Sequence, residues 1–135
     1  MGLDTSHNCW HGAYSSFTHW RHAVAEAAGY WVAPVKFENG MTQDTIILDW
    51  GHLPQGHLEG EWDEIPADPL IILLTHQDCE GRIKSAHCNP LADALEAILR
   101  KMDDSEGWKS DAERTRQFIA GLRAAATAGE DVDFH

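Results

Sequence analysis

The chain is short of positive charge. Ten Lys and Arg stand against 22 Asp and Glu in 135 residues, a formal charge of −12. A surface with few cations cannot neutralise a run of phosphates, which excludes generic nucleic-acid binding. The same deficit excludes adhesion to anionic membranes. Cysteine is scarce and odd in number, at Cys9, Cys79 and Cys88. A disulfide-stapled secreted domain uses an even and denser set. Long apolar runs are missing too. The longest spans Leu70 to Leu74, against the roughly 20 residues of a membrane helix. Residues 1–12 hold neither a basic stretch nor an apolar core of signal-peptide type. These absences predict a cytoplasmic, reduced protein with no membrane association. Nucleophile-elbow, P-loop, dinucleotide and H-E-x-x-H patterns are also lacking.

Histidine is plentiful. Nine His nearly equal the whole Lys and Arg count, and six Trp is high for this length. Hydrophobic residues make up 43%, enough for one domain over 1–135 with a single core. Ala13, Phe17, Trp20, Val24 and Ala28 form one helical stripe over 12–28, stopped by Gly29. Runs 31–37 and 45–50 read as extended, with Asn39-Gly40 as the turn of a small hairpin. Pro34 confines the first run to an edge. Residues 51–67 read as a long loop. Residues 68–75 fit either a buried strand or a short helix capped by Asp68-Pro69. A helix is expected over 89–102, with Asn89 as cap and Pro90 in its first turn. Another is expected over 110–128, opened by a Ser110…Glu113 capping box and ended by Gly129. The fold class is therefore α+β and mainly helical, with three principal helices.

Chemistry concentrates in residues 76–88, HQDCEGRIKSAHC. With Gly81 at the sharp turn, Asp78 and Glu80 occupy oxygen-ligand positions of an EF-hand-like loop between two helices. His76 and His87 stand where that loop needs carboxylates, so calcium, a hard cation, is disfavoured. The replacements suit zinc, which takes imidazole and thiolate. The spacing lacks a C-x2-C knuckle and is not diagnostic. A second cluster, His7, Cys9 and His11, would converge on one side of an extended segment. His7, His76, Cys79 and Cys88 are the candidate zinc ligands, drawn from both segments. If the metal is catalytic, Asp78 or Glu80 would orient its water. The bland alternative is that the cysteines are small buried hydrophobes and the histidines core-edge or surface groups. His19, His22 and Glu26 share a helix face that reads as solvated. Tyr14, Ser15 and Arg21 are candidate polar contacts for a ligand stacked on Trp side chains.

Three stretches carry a resemblance. SHNCWHGAYSSFTHWR at 6–21, LTHQDCEGRI at 74–83 and the ending EDVDFH resemble an uncharacterised family of small bacteriophage and bacterial proteins, whose members carry "GAYSSF…R" and "HSDCDGEI" blocks. That resemblance points to His7, Gly12, Tyr14, Ser15, Phe17 and Arg21, and to His76, Asp78, Cys79, Gly81 and Cys88. Gln77 and Arg82 depart from its pattern, which weakens an acidic calcium loop further. It implies an accessory role, such as countering a host defence. Two functions remain open. One is a zinc protein with a pocket for a small ligand, with or without hydrolytic turnover. The other is a non-catalytic module holding a nucleotide-like ligand or a protein partner. The oligomeric state is not legible.

Overall fold

A computed structural model describes residues 2–36, 38–47, 65–66, 68–76 and 81–135. Its centre is a helical hairpin. Helix α3 (Ser85–Asp103) buries Leu91, Leu95, Ile98 and Met102 on one face. Helix α4 (Lys109–Ala128) buries Ala112, Thr115, Phe118, Ile119, Leu122 and Ala125. Their apolar stripes meet because each would otherwise face water. On the outside, Arg123 pairs with Asp93 at 2.6 Å and Glu96 at 3.2 Å, and Arg116 pairs with Asp103. High numbers on α4 thus meet low numbers on α3, so the helices run antiparallel. Helix α1 (Tyr14–Ala27) lays Phe17, Trp20, Ala23, Val24 and Ala27 against this pair. The class is mainly helical α+β, as expected.

Among the described residues, three two-stranded antiparallel pairs accompany the helices. Strand β1 (Gly2–Asp4) pairs with β2 (His11–Ala13), setting Gly2 opposite Ala13. Strand β3 (Trp31–Lys36) pairs with β4 (Thr42–Ile47), setting Trp31 opposite Ile47. Its turn uses Asn39-Gly40, where the Asn39 side chain accepts the Met41 N–H at 3.0 Å. Strand β4 starts earlier than the expected 45, and among the described residues β3, which carries Pro34, pairs only with β4. Strand β5 (Arg82–Ile83) pairs with β6 (Val132–Asp133). Beyond β6, Asp4 and His135 exchange backbone bonds at 2.9 and 2.8 Å. The chain ends are thereby tied together, which the tail sequence did not suggest.

Several boundaries move, each for a local reason. Residues 68–75 resolve as helix: α2 (Leu70–Leu74) is buried on all its residues, and Asp68 accepts the Leu70 N–H at 3.1 Å. Helix α3 begins four residues before Asn89. Its first turn is capped from afar, since Asp131 accepts the Ser85 N–H at 2.8 Å. Asn89 instead accepts from Arg123 at 2.9 Å, and Pro90 lies inside the helix. A 3₁₀ turn at Glu106–Trp108 leads into α4, so Ser110 falls in the first turn and no capping box forms. Gly129 ends α4 in the left-handed region, as expected. Most of the 51–67 loop lies outside the described residues.

Helix α4 touches the N-terminal segment closely at Gly121. A Cβ there would stand 2.8 Å from the His7 carbonyl oxygen and 2.9 Å from Cys9 Cα, besides striking the Cys9 sulfur. Two of these are backbone atoms, which no rotamer change moves. Gly121→Ala is therefore expected to cost about 1–3 kcal/mol by overpacking, despite the better helix propensity of Ala. Thermal denaturation checks this; an unchanged or raised Tm contradicts the packing.

Candidate functional site

The heads of α1 and α4 lie side by side and frame a cleft of about 260 Å³. Its walls are Ser15, Ser16 and His19 from α1, and Ser110, Asp111 and Arg114 from α4. The two triplets share one spacing, i, i+1 and i+4, which places each set on one side of its helix. No side chain caps the start of either helix. First-turn amides carry partial positive charge and need acceptors.

The core beside these helix heads is aromatic. Trp10 is 2% exposed and meets Phe17 at 5.1 Å and Trp20 at 5.3 Å between ring centroids. Arg114 places its guanidinium carbon 4.5 Å over the Trp10 ring, a favourable cation–π geometry. The Trp10 indole N–H is buried and has no hydrogen-bond partner, a state that costs free energy. By contrast, Trp20 donates its indole N–H to Thr115 at 3.0 Å, and Thr115 donates to the Asp111 carbonyl at 2.7 Å. Asp111 is 7% exposed. Burial pushes its carboxyl above the ordinary range, while His19 and Arg114 pull it back.

The expected ligand contacts separate. Ser15 lines the cleft. Tyr14 is half-buried and packs on the core. Arg21 lies elsewhere: it donates to the His76 carbonyl at 2.5 Å and sits 4.7 Å over Phe17. Six residues of helix put Ser15 and Arg21 on different faces. Trp10 fills the core instead of stacking a ligand, and Trp31 is 73% exposed. Trp50 and Trp62 lie outside the described residues.

The expected metal ligands are engaged with other groups. His76 is buried, donates from Nε2 to the Arg82 carbonyl at 3.0 Å and stacks 4.1 Å from Phe134. His7 Nε2 stands 3.0 Å from Glu130 Oε1, and Nδ1 stands 2.8 Å from the Ser6 hydroxyl. Cys88 is fully buried and its thiol contacts the Lys84 carbonyl at 3.4 Å. Asp78, Cys79 and Glu80 lie outside the described residues. The expected convergence of His7, Cys9 and His11 does not occur. A 3₁₀ turn at Ser6–Asn8, with His7 and Asn8 at φ 59° and 57°, breaks the extended alternation. His7 turns to Glu130, Cys9 is buried, and His11 pairs with Asp4 in solvent. Among the described residues, no group of three or more His, Cys, Asp or Glu is placed to hold a metal ion. No family model, curated protein or solved structure matches the chain.

Five wall residues escaped the sequence reading as ligand groups. Ser16 was unassigned, His19 looked merely solvated, Ser110 looked like the cap of a Ser110…Glu113 box, and Asp111 and Arg114 had no role. The usable signal was the repeated spacing: Ser-Ser-x-x-His at 15–19 and Ser-Asp-x-x-Arg at 110–114.

Burial governs the two described thiols. It raises Cys9 to about 12 and Cys88 to about 11. Both stay protonated at neutral pH, and a protonated thiol is a poor nucleophile. Native protein treated with iodoacetamide near neutral pH is expected to leave Cys9 and Cys88 unmodified in peptide maps. Rapid labelling of either one contradicts their burial.

Proposed function

We propose that the protein is a non-catalytic binding module that holds a small polar ligand between the heads of α1 and α4. The carrying observation is the wall itself: three hydroxyls, one imidazole, one carboxyl and one guanidinium converge on one open cleft. Such convergence of a few polar groups on one concave space is a feature of small-ligand sites. The hydroxyls donate and accept, Arg114 donates in a plane, and Asp111 supplies a carboxyl of raised proton affinity. No hydrogen bond between His19 and a serine or Asp111 supports a nucleophile relay. Resemblance of the 6–21 and 74–83 blocks to small phage and bacterial proteins suits an accessory binding role in the cytoplasm.

A zinc reading stands second. Its support is the burial of two imidazoles, His76 at 2% and His87 at 4% exposure, on either side of the segment carrying Asp78, Cys79 and Glu80. An EF-hand-like turn at 76–88 belongs to that reading, with His7, His76, Cys79 and Cys88 as ligands and Asp78 or Glu80 as water-orienting groups. Cys88 must give up its proton, and His7 its contact with Glu130, for this set to form.

The binding reading is tested by two-dimensional NMR of the labelled protein against mixtures of nucleotides, sugars and amino acids. Shifts confined to Ser15, Ser16, His19, Ser110 and Arg114 are expected; a full screen without them overturns it. Metal analysis of untagged protein decides the second reading. A full equivalent of zinc, lost in Cys79→Ser, would favour it, and a content far below one equivalent would sink it.

A further inference from the structure

A second cluster stands apart from the cleft, where residues 4–7 meet residues 130–135. Asp4 and His135 exchange backbone bonds, and Thr5 bridges Phe134 in the same antiparallel register. Continued by one residue, that register brings Ser6 to Asp133, whose N–H donates to the Ser6 hydroxyl oxygen at 2.9 Å. The 3₁₀ turn then sets His7 at φ 59° and Asn8 at φ 57°, two successive residues in a region that non-glycine residues rarely occupy. With this backbone the His7 ring lies between two partners. Nδ1 is 2.8 Å from Ser6 Oγ, and Nε2 is 3.0 Å from Glu130 Oε1. Glu130 is held by the end of α4: Gly129 turns left-handed, and the Glu130 N–H donates to the Ala125 carbonyl at 2.9 Å.

The proton order follows from what each partner can do. An ionised carboxylate only accepts, so Nε2 carries the ring proton toward Glu130. Nδ1 is then an acceptor. Ser6 Oγ already accepts from the Asp133 amide, and its own proton is directed at Nδ1. A hydroxyl, an imidazole and a carboxylate in this order are the arrangement that activates a serine. The imidazole takes the hydroxyl proton, while the carboxylate orients the ring and stabilises its charged form. The Asp133 amide gives the oxygen a donor as negative charge develops on it. The His7 side chain is 18% exposed and that of Glu130 63%, so the cluster opens on solvent and a reagent can reach it.

The structure assigns Ser6 as a nucleophilic hydroxyl that accepts an acyl group from an uncharged activated ester, with His7 as its base and Glu130 as the residue that positions His7. In the step, Ser6 Oγ bonds to the ester carbonyl carbon and its proton passes to His7 Nδ1. The bond from that carbon to the leaving oxygen breaks, and the leaving oxygen takes the proton from Nδ1. An acyl-serine and a free alcohol or phenol result. An uncharged donor fits because Glu130 and the overall charge of −12 repel an anionic one. None of these three residues lines the α1–α4 cleft, so the assignment goes beyond the binding reading and does not depend on it. One acyl transfer onto the chain is not turnover, which leaves that reading intact.

The first probe is an alkyl fluorophosphonate, followed by peptide mapping of the native protein. It traps a reactive hydroxyl irreversibly: oxygen bonds to phosphorus, fluoride leaves, and the proton goes to Nδ1. Ser6 is expected to react about a hundredfold or more faster than Ser15, Ser16 and Ser110, as a base-assisted hydroxyl should, and to lose that lead in denaturant. His7→Asn suits the left-handed backbone and removes the base, so Ser6 labelling is expected to fall about a hundredfold. Glu130→Gln keeps an acceptor without the charge and is expected to slow labelling about tenfold or more at unchanged Tm. The second probe, 4-nitrophenyl acetate, is expected to release nitrophenol in a phase that Ser6→Ala abolishes. Should a variant fail to fold, the labelling of the unaltered protein still decides. Ser6 labelled no faster than the other serines, or a label on the His7 ring instead, overturns the assignment. So does Ser6 labelling unchanged in a folded His7→Asn, or nitrophenol release unchanged in a folded Ser6→Ala.

Discussion

The structure depends on a run of aromatic rings that joins three distant parts of the chain. Trp10 from the N-terminal segment contacts Trp20 of α1 at 5.3 Å, and Trp20 contacts Phe118 of α4 at 4.9 Å. Phe17 adds contacts to Trp10, Trp20 and Phe134 at 5.1, 5.8 and 5.9 Å. Each ring buries a large apolar area, and tilted or edge-on pairs add about 0.5–1.5 kcal/mol beyond that burial. The one polar atom of Trp20 is satisfied by Thr115, so the centre of this run is fully matched. The small strand pairs cannot stand alone, since isolated two-stranded ribbons are marginal. The β1–β2 and β5–β6 pairs gain support from this core through Leu3, Trp10, Ile83, Val132 and Phe134, all buried. Tight backbone approach of Gly121 to residues 7 and 9 holds α4 against the same segment.

The cleft is a consequence of that packing. With Trp10 wedged beside Phe17 and Trp20, the heads of α1 and α4 sit close enough to share one space. Arg114 is held over the indole face, which keeps its guanidinium at the cleft instead of in solvent. The Trp10 edge, unlike that of Trp20, meets no protein acceptor. The same core thus satisfies one buried indole and leaves its buried neighbour unpaired. The described His residues divide in the same way. His19 joins the cleft, His76 and His87 are buried, and His7 and His11 each meet a carboxylate. No helix among the described residues is long and apolar enough to cross a membrane.

Much of the scaffold was legible. Helical stripes at Phe17, Trp20 and Val24, and at Leu91, Leu95, Ile98 and Met102, marked α1 and α3 because apolar spacing reports burial directly. Asn39-Gly40 marked the hairpin turn for a conformational reason. Caps misled where partners came from far along the chain. Asp131 caps α3 from 46 residues away, and no local pattern encodes that. His7, Cys9 and His11 looked alike by alternation, but two left-handed residues sent them three ways. The cleft was nearly invisible because its halves lie about one hundred residues apart, at 15–19 and 110–114. Ser15 alone was anticipated, for its place in the helix and not for its neighbours.

The most direct measurement is a crystal structure of the protein grown with the nucleotides, sugars and amino acids of the ligand screen. Ordered ligand density is predicted between Ser15, Ser16 and His19 of α1 and Ser110, Asp111 and Arg114 of α4, clear of lattice neighbours. An ordered cleft that holds only water, with every compound bound elsewhere or nowhere, would contradict the reading.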